Sequence, residues 1–291
     1  MDTSNNAPPS PSAAQTSGSL AWLQFLEDVR LAVESLCLPP GQECLYRGHA
    51  KLEWELQPTL LRHALVTPTL NDVEADLFFE FRAHARELHG LNLSDWDMLF
   101  YMRHYGVPTR LLDWTDSLGV AMYFALEGEP TSPCIWMLNP FVLNDDDFFA
   151  PKNLGWDEDE EEYYDYGELL VEEEPIDWEA PLAIYPDKNN PRLFAQRGYF
   201  TIHGTDLRPL EKIPGNERYL KRVELPLEAI PHARHFLQMA GMDRYRIYGD
   251  LESLAHVLRD KHLPSPGHAP RVPSGGRERK RERQNKNKRN T

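Results

Sequence analysis

The residues of this 291-residue chain that can do chemistry gather in two stretches. One is Tyr46-Arg47-Gly48-His49. The other runs from His104 to Ser117, His-Tyr-Gly-Val-Pro-Thr-Arg-Leu-Leu-Asp-Trp-Thr-Asp-Ser. Arg47, at the end of a short strand, offers a planar and permanently charged fork to a phosphate or a carboxylate. Gly48 beside it lets a ligand approach the backbone. In the second stretch Thr109, Thr115 and Ser117 supply hydroxyls, Arg110 a guanidinium and Asp113 a carboxylate. Trp114 adds a flat ring that can stack on a ligand. A structural alternative stands beside this reading: Arg47 or Arg110 paired with Asp113, Ser117 capping the next helix, and Trp114 in the core.

Other chemistries find less support. His49, His63, His84, His89, His104 and His203 form no His-Glu-x-x-His pattern, and we expect no metal site. No Gly-x-Ser-x-Gly elbow, Gly-x-Gly-x-x-Gly turn or Walker A loop occurs, which argues against a serine hydrolase, a dinucleotide-binding Rossmann unit and a P-loop. The three cysteines, Cys37, Cys44 and Cys134, are odd in number and unpatterned; they suit a reducing, cytoplasmic setting.

The elements that position these residues follow from pattern. Ser19 is placed to cap a first helix with Trp22, Leu26, Val29 and Val33 on one face. Residues 43–48 read as a strand entering a glycine turn. A long helix from Asn71 or Asp72 to about His89 follows. Ser94-Asp95-Trp96-Asp97 then has capping-box spacing and opens the helix that leads to His104. Pro108 bars helix continuation, so the stretch to Ser117 is expected as a polar loop between two helices, the second the apolar run Leu118–Leu126. Strands are expected at 134–138, 199–204 and 219–225, and helices at 231–239 and from Gly249-Asp250 to about Leu263. The mixture without a βαβ rhythm predicts an α+β fold, a single mixed domain with a central β-sheet flanked by helices.

Charge is unevenly spread. The formal net charge is −15. Residues 263–291 hold nine Lys/Arg against two Glu, a balance of +7, so the remainder carries −22. Between Asp157 and Glu179 stand thirteen Asp/Glu and no Lys/Arg. We therefore expect a disordered leader at 1–18, a folded domain at 19–262 with an acidic insertion at about 144–180, and a basic disordered tail at 263–291. The acidic body disfavours a nonspecific grip on nucleic acid; the tail is the part suited to nucleic acid or an acidic surface, including the chain's own insertion. No apolar run is long enough to span a bilayer and no secretion signal is evident, so no membrane partner is expected.

Tyr46-Arg47-Gly48-His49, the stretch from His104 to Ser117, Gln196-Arg197-Gly198-Tyr199-Phe200 and the closing Tyr248-Gly249-Asp250-Leu251 resemble the FRG domain in the same order, over roughly residues 20–262. That resemblance implies a bacterial or phage-related setting, such as phage defence or toxicity, with an unknown macromolecular target. A more distant likeness is to ADP-ribosyltransferases of the Arg-Ser-Glu type. It implies NAD as cofactor, a nucleotide-like pocket, and Arg47, Asp113, Thr115 and Gln196 as catalytic residues. Gly48, Tyr105, Thr109, Arg110, Trp114 and Ser117 would bind the cofactor. Gln196 stands where that pattern has a glutamate; a neutral amide can hydrogen-bond a ribose hydroxyl but cannot supply charge to an oxocarbenium-like transition state. Asp113 would have to supply it. The alternative is a non-catalytic module that binds protein or nucleic acid.

Overall fold

A computed structural model describes residues 13–63, 69–89, 93–145, 156–157, 162–163, 165–171, 178–186 and 196–263. The first twelve residues, residues 146–155, 158–161, 164 and 172–177 of the acidic region, and the tail beyond Leu263 lie outside the described residues.

The fold is α+β. Helix α1 (Ala13–Ser35) is followed by strand β1 (Leu45–His49), helices α2 (Thr69–His89) and α3 (Asp95–His104), strand β2 (Leu111–Thr115), helix α4 (Leu118–Ala125) and strand β3 (Cys134–Leu138). A two-stranded ribbon, β4 (Trp156–Asp157) and β5 (Glu162–Tyr163), precedes strands β6 (Leu182–Ile184), β7 (Gly198–Ile202) and β8 (Leu220–Glu224). Helices Ile230–Met239, Arg244–Tyr248 and Leu251–His262 follow β8.

Two sequence expectations change. Ser19 lies inside α1 instead of capping it, and residues 13–18 are helical. Gly18 is tolerated there because α1 crosses the 227–229 turn closely: a Cβ would lie 2.6 Å from the Glu228 carbonyl oxygen. The stretch after Pro108 is not a loop throughout, since residues 111–115 form β2. It is held as a strand by a full antiparallel ladder to β7, from Leu111 opposite Ile202 to Thr115 opposite Gly198.

Six strands form one antiparallel sheet in the order β6-β7-β2-β1-β3-β8. Side chains alternate across it, as the two-residue period requires. On one face Tyr46, Ile135, Met137 and Val223 pack against α1 and α4, while Leu111, Phe200, Ile202 and Ile184 pack against α2 and α3. On the other face Leu45, Leu112, Trp114, Trp136 and Leu138 meet Leu56 and Leu210. The two helical layers thus cover different halves of one face, and the boundary between them lies over β1 and β2.

At that boundary the sheet itself opens. β1 pairs with β3 along all five residues, but with β2 only at Tyr46 opposite Thr115. Ser117 caps α4, its Oγ accepting from the Val120 N–H at 3.4 Å. Ser94 caps α3, accepting from Asp97 N at 3.1 Å. A second cap reaches α3 from the acidic segment: Asp165 accepts from the backbone N–H groups of Asp95 at 2.9 Å and Trp96 at 3.1 Å. Tyr166 and Leu170 are buried beside it, so this part of the segment belongs to the core. At the sheet's end, the Asn144 side chain donates to the carbonyl of Ala183 in β6 and accepts from its N–H, both at 2.8 Å.

Candidate functional site

A cleft of about 860 Å³ follows the opening between β1 and β2. Its floor is Tyr46, Arg47, Gly48, Asp113 and Thr115. The end of α3 supplies Arg103, His104 and Gly106 to one wall, and α4 with its following turn supplies Ala121, Phe124 and Glu127 to the other. The segment after β1 closes one end with Trp54, Gln57 and Arg62, and Gln196 lies at the edge of β7. The volume falls in the range of small-molecule and cofactor pockets.

The core of the site is one carboxylate among arginines. Arg103 clasps Asp113 with Nε at 3.1 and 3.0 Å from its two oxygens and Nη2 at 2.5 Å; its Nη1 reaches Thr59 Oγ1 at 3.3 Å. Arg47 passes through the gap between β1 and β2. Its Nη1 donates to the Asp113 carbonyl at 2.6 Å and stands 3.6 Å from the carboxylate. Its Nε donates to His49 Nε2 at 3.1 Å, which places the histidine's own proton on Nδ1. Arg62 donates through Nε to the Gln57 carbonyl at 2.8 Å.

Electrostatics follow from this crowding. Burial lowers Arg47 to about 10 against the pull of Asp113, and Arg103 and Arg62 push the same way. Burial and then the charge of Arg47 bring His49 to about 3, so it stays neutral. Burial also lowers Arg62, and Arg103 adds to it. Burial pushes the Asp113 carboxyl up, but Arg103 and Arg47 outweigh it and hold it at about 2. Three guanidiniums share one carboxylate, the condition that favours an added anion.

Of the residues singled out in sequence, Arg47, Gly48, Asp113, Trp114, Thr115 and Gln196 line the cleft. Gly48 has a further reason to be glycine: a Cβ would lie 1.8 Å from the Ala121 carbonyl oxygen and 2.7 Å from Ala125 N, so its bareness lets α4 sit on β1. Trp114 is 3% exposed, and its indole N–H donates to Thr201 Oγ1 at 3.1 Å. Thr115 Oγ1 donates to the Gln196 carbonyl at 2.7 Å and accepts from Ser117 N at 3.1 Å.

The other four sit elsewhere. Tyr105 is 57% exposed and closes α3, its N–H donating to the Tyr101 carbonyl. Ser117 is spent on the α4 cap. Thr109 is buried, and its carbonyl accepts from Leu60 N at 3.3 Å, which steadies the turn that carries Arg62. Arg110 is buried on Glu74, with Nε at 2.8 and 3.0 Å from the two oxygens and Nη2 also bonded. Its Nη1 donates to the carbonyls of His203 and Gly204, and Tyr166 donates to Glu74 at 2.6 Å. The Arg110–Asp113 pairing considered from sequence does not occur.

Sequence reasoning passed over Arg103 and Arg62. Arg103 had a signal: it ends a helix immediately before the polar stretch, where a basic residue is placed to face that helix's C-terminal side. Arg62 had none, because its position depends on a backbone bond to Thr109, distant in sequence. Among the described residues no group of three or more His, Cys, Asp or Glu could hold a metal ion, and no helix is long and apolar enough to cross a membrane.

Residues 42–133 match the family model of the FRG domain. No curated protein and no solved structure matches the chain. The matched span contains β1, both helices that flank the cleft, β2, and every arginine and carboxylate of its centre, whereas Gln196 lies beyond it. The chain therefore carries an FRG domain, at residues 42–133.

Proposed function

We propose that the cleft binds a nucleotide through its phosphates, with NAD as the ligand that the likeness to ADP-ribosyltransferases suggests. The observation that carries this reading is the crowding of Arg47, Arg62 and Arg103 around the single carboxylate of Asp113. At this centre three positive charges meet one negative, an excess of two that a pyrophosphate would balance; of the other carboxylates lining the cleft, Glu53, Glu55 and Glu127, the last two are paired with Lys212 and Arg244. Among the described residues only Nε of Arg62 is hydrogen-bonded, so its two Nη groups remain for an anion in the bidentate manner of guanidinium and phosphate.

ADP-ribosyl transfer is the activity to which this reading extends. It requires negative charge beside the ribosyl carbon as nicotinamide departs. Asp113 is the carboxylate on the cleft floor and stays ionised, its carboxyl held at about 2. Both its oxygens already bind Arg103, which weakens its field at a ribose. Binding is therefore the primary claim and transfer its extension.

Calorimetric titration with NAD and with ADP-ribose tests the claim. Saturable binding that Arg62→Ala weakens supports it; no binding of either ligand to the wild-type chain would sink it and leave the non-catalytic module. Release of nicotinamide, followed chromatographically, tests the extension: release that Asp113→Asn abolishes supports transfer, and binding without release rejects it.

A further inference from the structure

The Gln196 amide nitrogen is enclosed, has no hydrogen-bond partner among the described residues and belongs to a residue that lines the cleft. A buried N–H without an acceptor is costly, a cost that an acceptor reaching it from the cleft would remove. Three ties hold the segment in place. Thr115 Oγ1 donates to the Gln196 carbonyl at 2.7 Å. The next residue, Arg197, has φ of +49°, a left-handed conformation that a side chain bearing a Cβ adopts only at a cost. Its guanidinium Nε lies 2.5 Å from Asp116 Oδ1 and its Nη2 3.6 Å from Glu43. The Tyr199 hydroxyl donates to the other Asp116 oxygen at 3.3 Å. The Asp116 side chain is only 7% exposed, and it stands immediately before the cap of α4.

We infer that Asp116 is a positioning residue: by holding Arg197 and Tyr199 it keeps the Gln196 amide turned into the cleft, where it donates to a neutral oxygen of the ligand, a hydroxyl or carbonyl lying beyond the phosphates. The strained backbone at Arg197 is the cost of that orientation, and the ion pair to Asp116 offsets it. Gln196 adjoins Thr115 at the edge of β7, across β2 from the arginines. A ligand that uses both ends must therefore carry an uncharged oxygen-rich group as well as phosphate. This inference rests on the reading of the cleft as a nucleotide site and deepens it.

Pyrophosphate and NAD separate the two ends. Pyrophosphate reports on the arginines alone, and NAD on both. Asp116→Asn is expected to weaken NAD roughly 5- to 10-fold, the loss of about one hydrogen bond, while pyrophosphate affinity stays within about twofold. Gln196→Ala should cost NAD the same, and the double variant should be no worse than either single one. Arg197→Gly, which permits the same backbone angle and removes the guanidinium, gives a second test and should reproduce the selective loss. Equal weakening of both ligands, or unchanged NAD binding in Asp116→Asn and Arg197→Gly, would overturn the inference while leaving the nucleotide site standing. Failure of the wild-type chain to bind NAD would overturn both.

Discussion

Two arginine–carboxylate centres lie at β2, with their Arg110 and Asp113 three residues apart in the chain, and they are built to opposite ends. Arg110 and Glu74 are 2% and 3% exposed at their side chains. Every nitrogen of Arg110 has a partner, and Tyr166 completes Glu74. Burial works against the Arg110 charge, but Glu74 and Tyr166 more than compensate and raise its pKa. That centre is closed. The Asp113 centre has three arginines for one carboxylate, Asp113 is 40% exposed at its side chain, and two of the three guanidiniums are pushed below their ordinary pKa. The difference teaches where to look for a ligand: a balanced and sealed ion pair fastens elements together, whereas an unbalanced and open one is completed from outside.

The largest effect should come from breaking the closed centre. Arg110→Ala strands the Glu74 charge in the core, a loss of about 3–5 kcal/mol, read as a lower urea midpoint. Arg103→Ala should cost clearly less, because Asp113 keeps Arg47 and some water. Equal losses would erase the distinction between the centres.

Next in size is Arg62→Ala. Removal of an exposed guanidinium whose Nη groups have no partner among the described residues should weaken pyrophosphate and NAD about 10- to 100-fold and leave the melting temperature nearly unchanged. A stability loss with intact binding would instead make Arg62 structural.

The smallest effect is in acid. Asp113 has its folded pKa, about 2, below the ordinary 3.8. A carboxylate depressed in this way contributes stability that is present above the unfolded pKa and lost as pH falls through the folded value. The wild type should therefore lose stability between about pH 4 and pH 2, by roughly 1 kcal/mol once solvent screening of this part-exposed group is allowed for. Asp113→Asn should flatten that part of the urea-midpoint curve; a curve parallel to the wild type would show that the open centre adds nothing to folding.

Much of the fold was legible because its signals are local. The run Cys134–Leu138 is the strand that its apolar character implies, and Ser94 and Ser117 cap the helices they precede. The site was legible in part. Arg47 and Asp113 do meet, and Gln196 joins them in the cleft. The alternative of Asp113 as a partner for Arg110 depends on residues 104–117 being a loop. Once 111–115 form a strand, Arg110 and Asp113 stand on opposite faces by the two-residue period, and Arg110 turns to Glu74, 36 residues upstream. The role of Asp165 was hidden for another reason. Composition marks its neighbourhood as a solvated acidic run, and nothing in composition reveals that one of those carboxylates faces the head of α3.

The Asn144 amide, bonded twice to Ala183 in β6, has a consequence for how the molecule behaves among its own kind. A terminal strand with bare backbone groups invites pairing with another chain and growth of the sheet. Here a single side chain imitates one residue of a further strand, filling a donor and an acceptor at the middle of a three-residue edge. Pairing of another chain at that point of β6 is thereby opposed by one amide, which the short helix Pro140–Leu143 brings to the edge through its C-cap, Asn144.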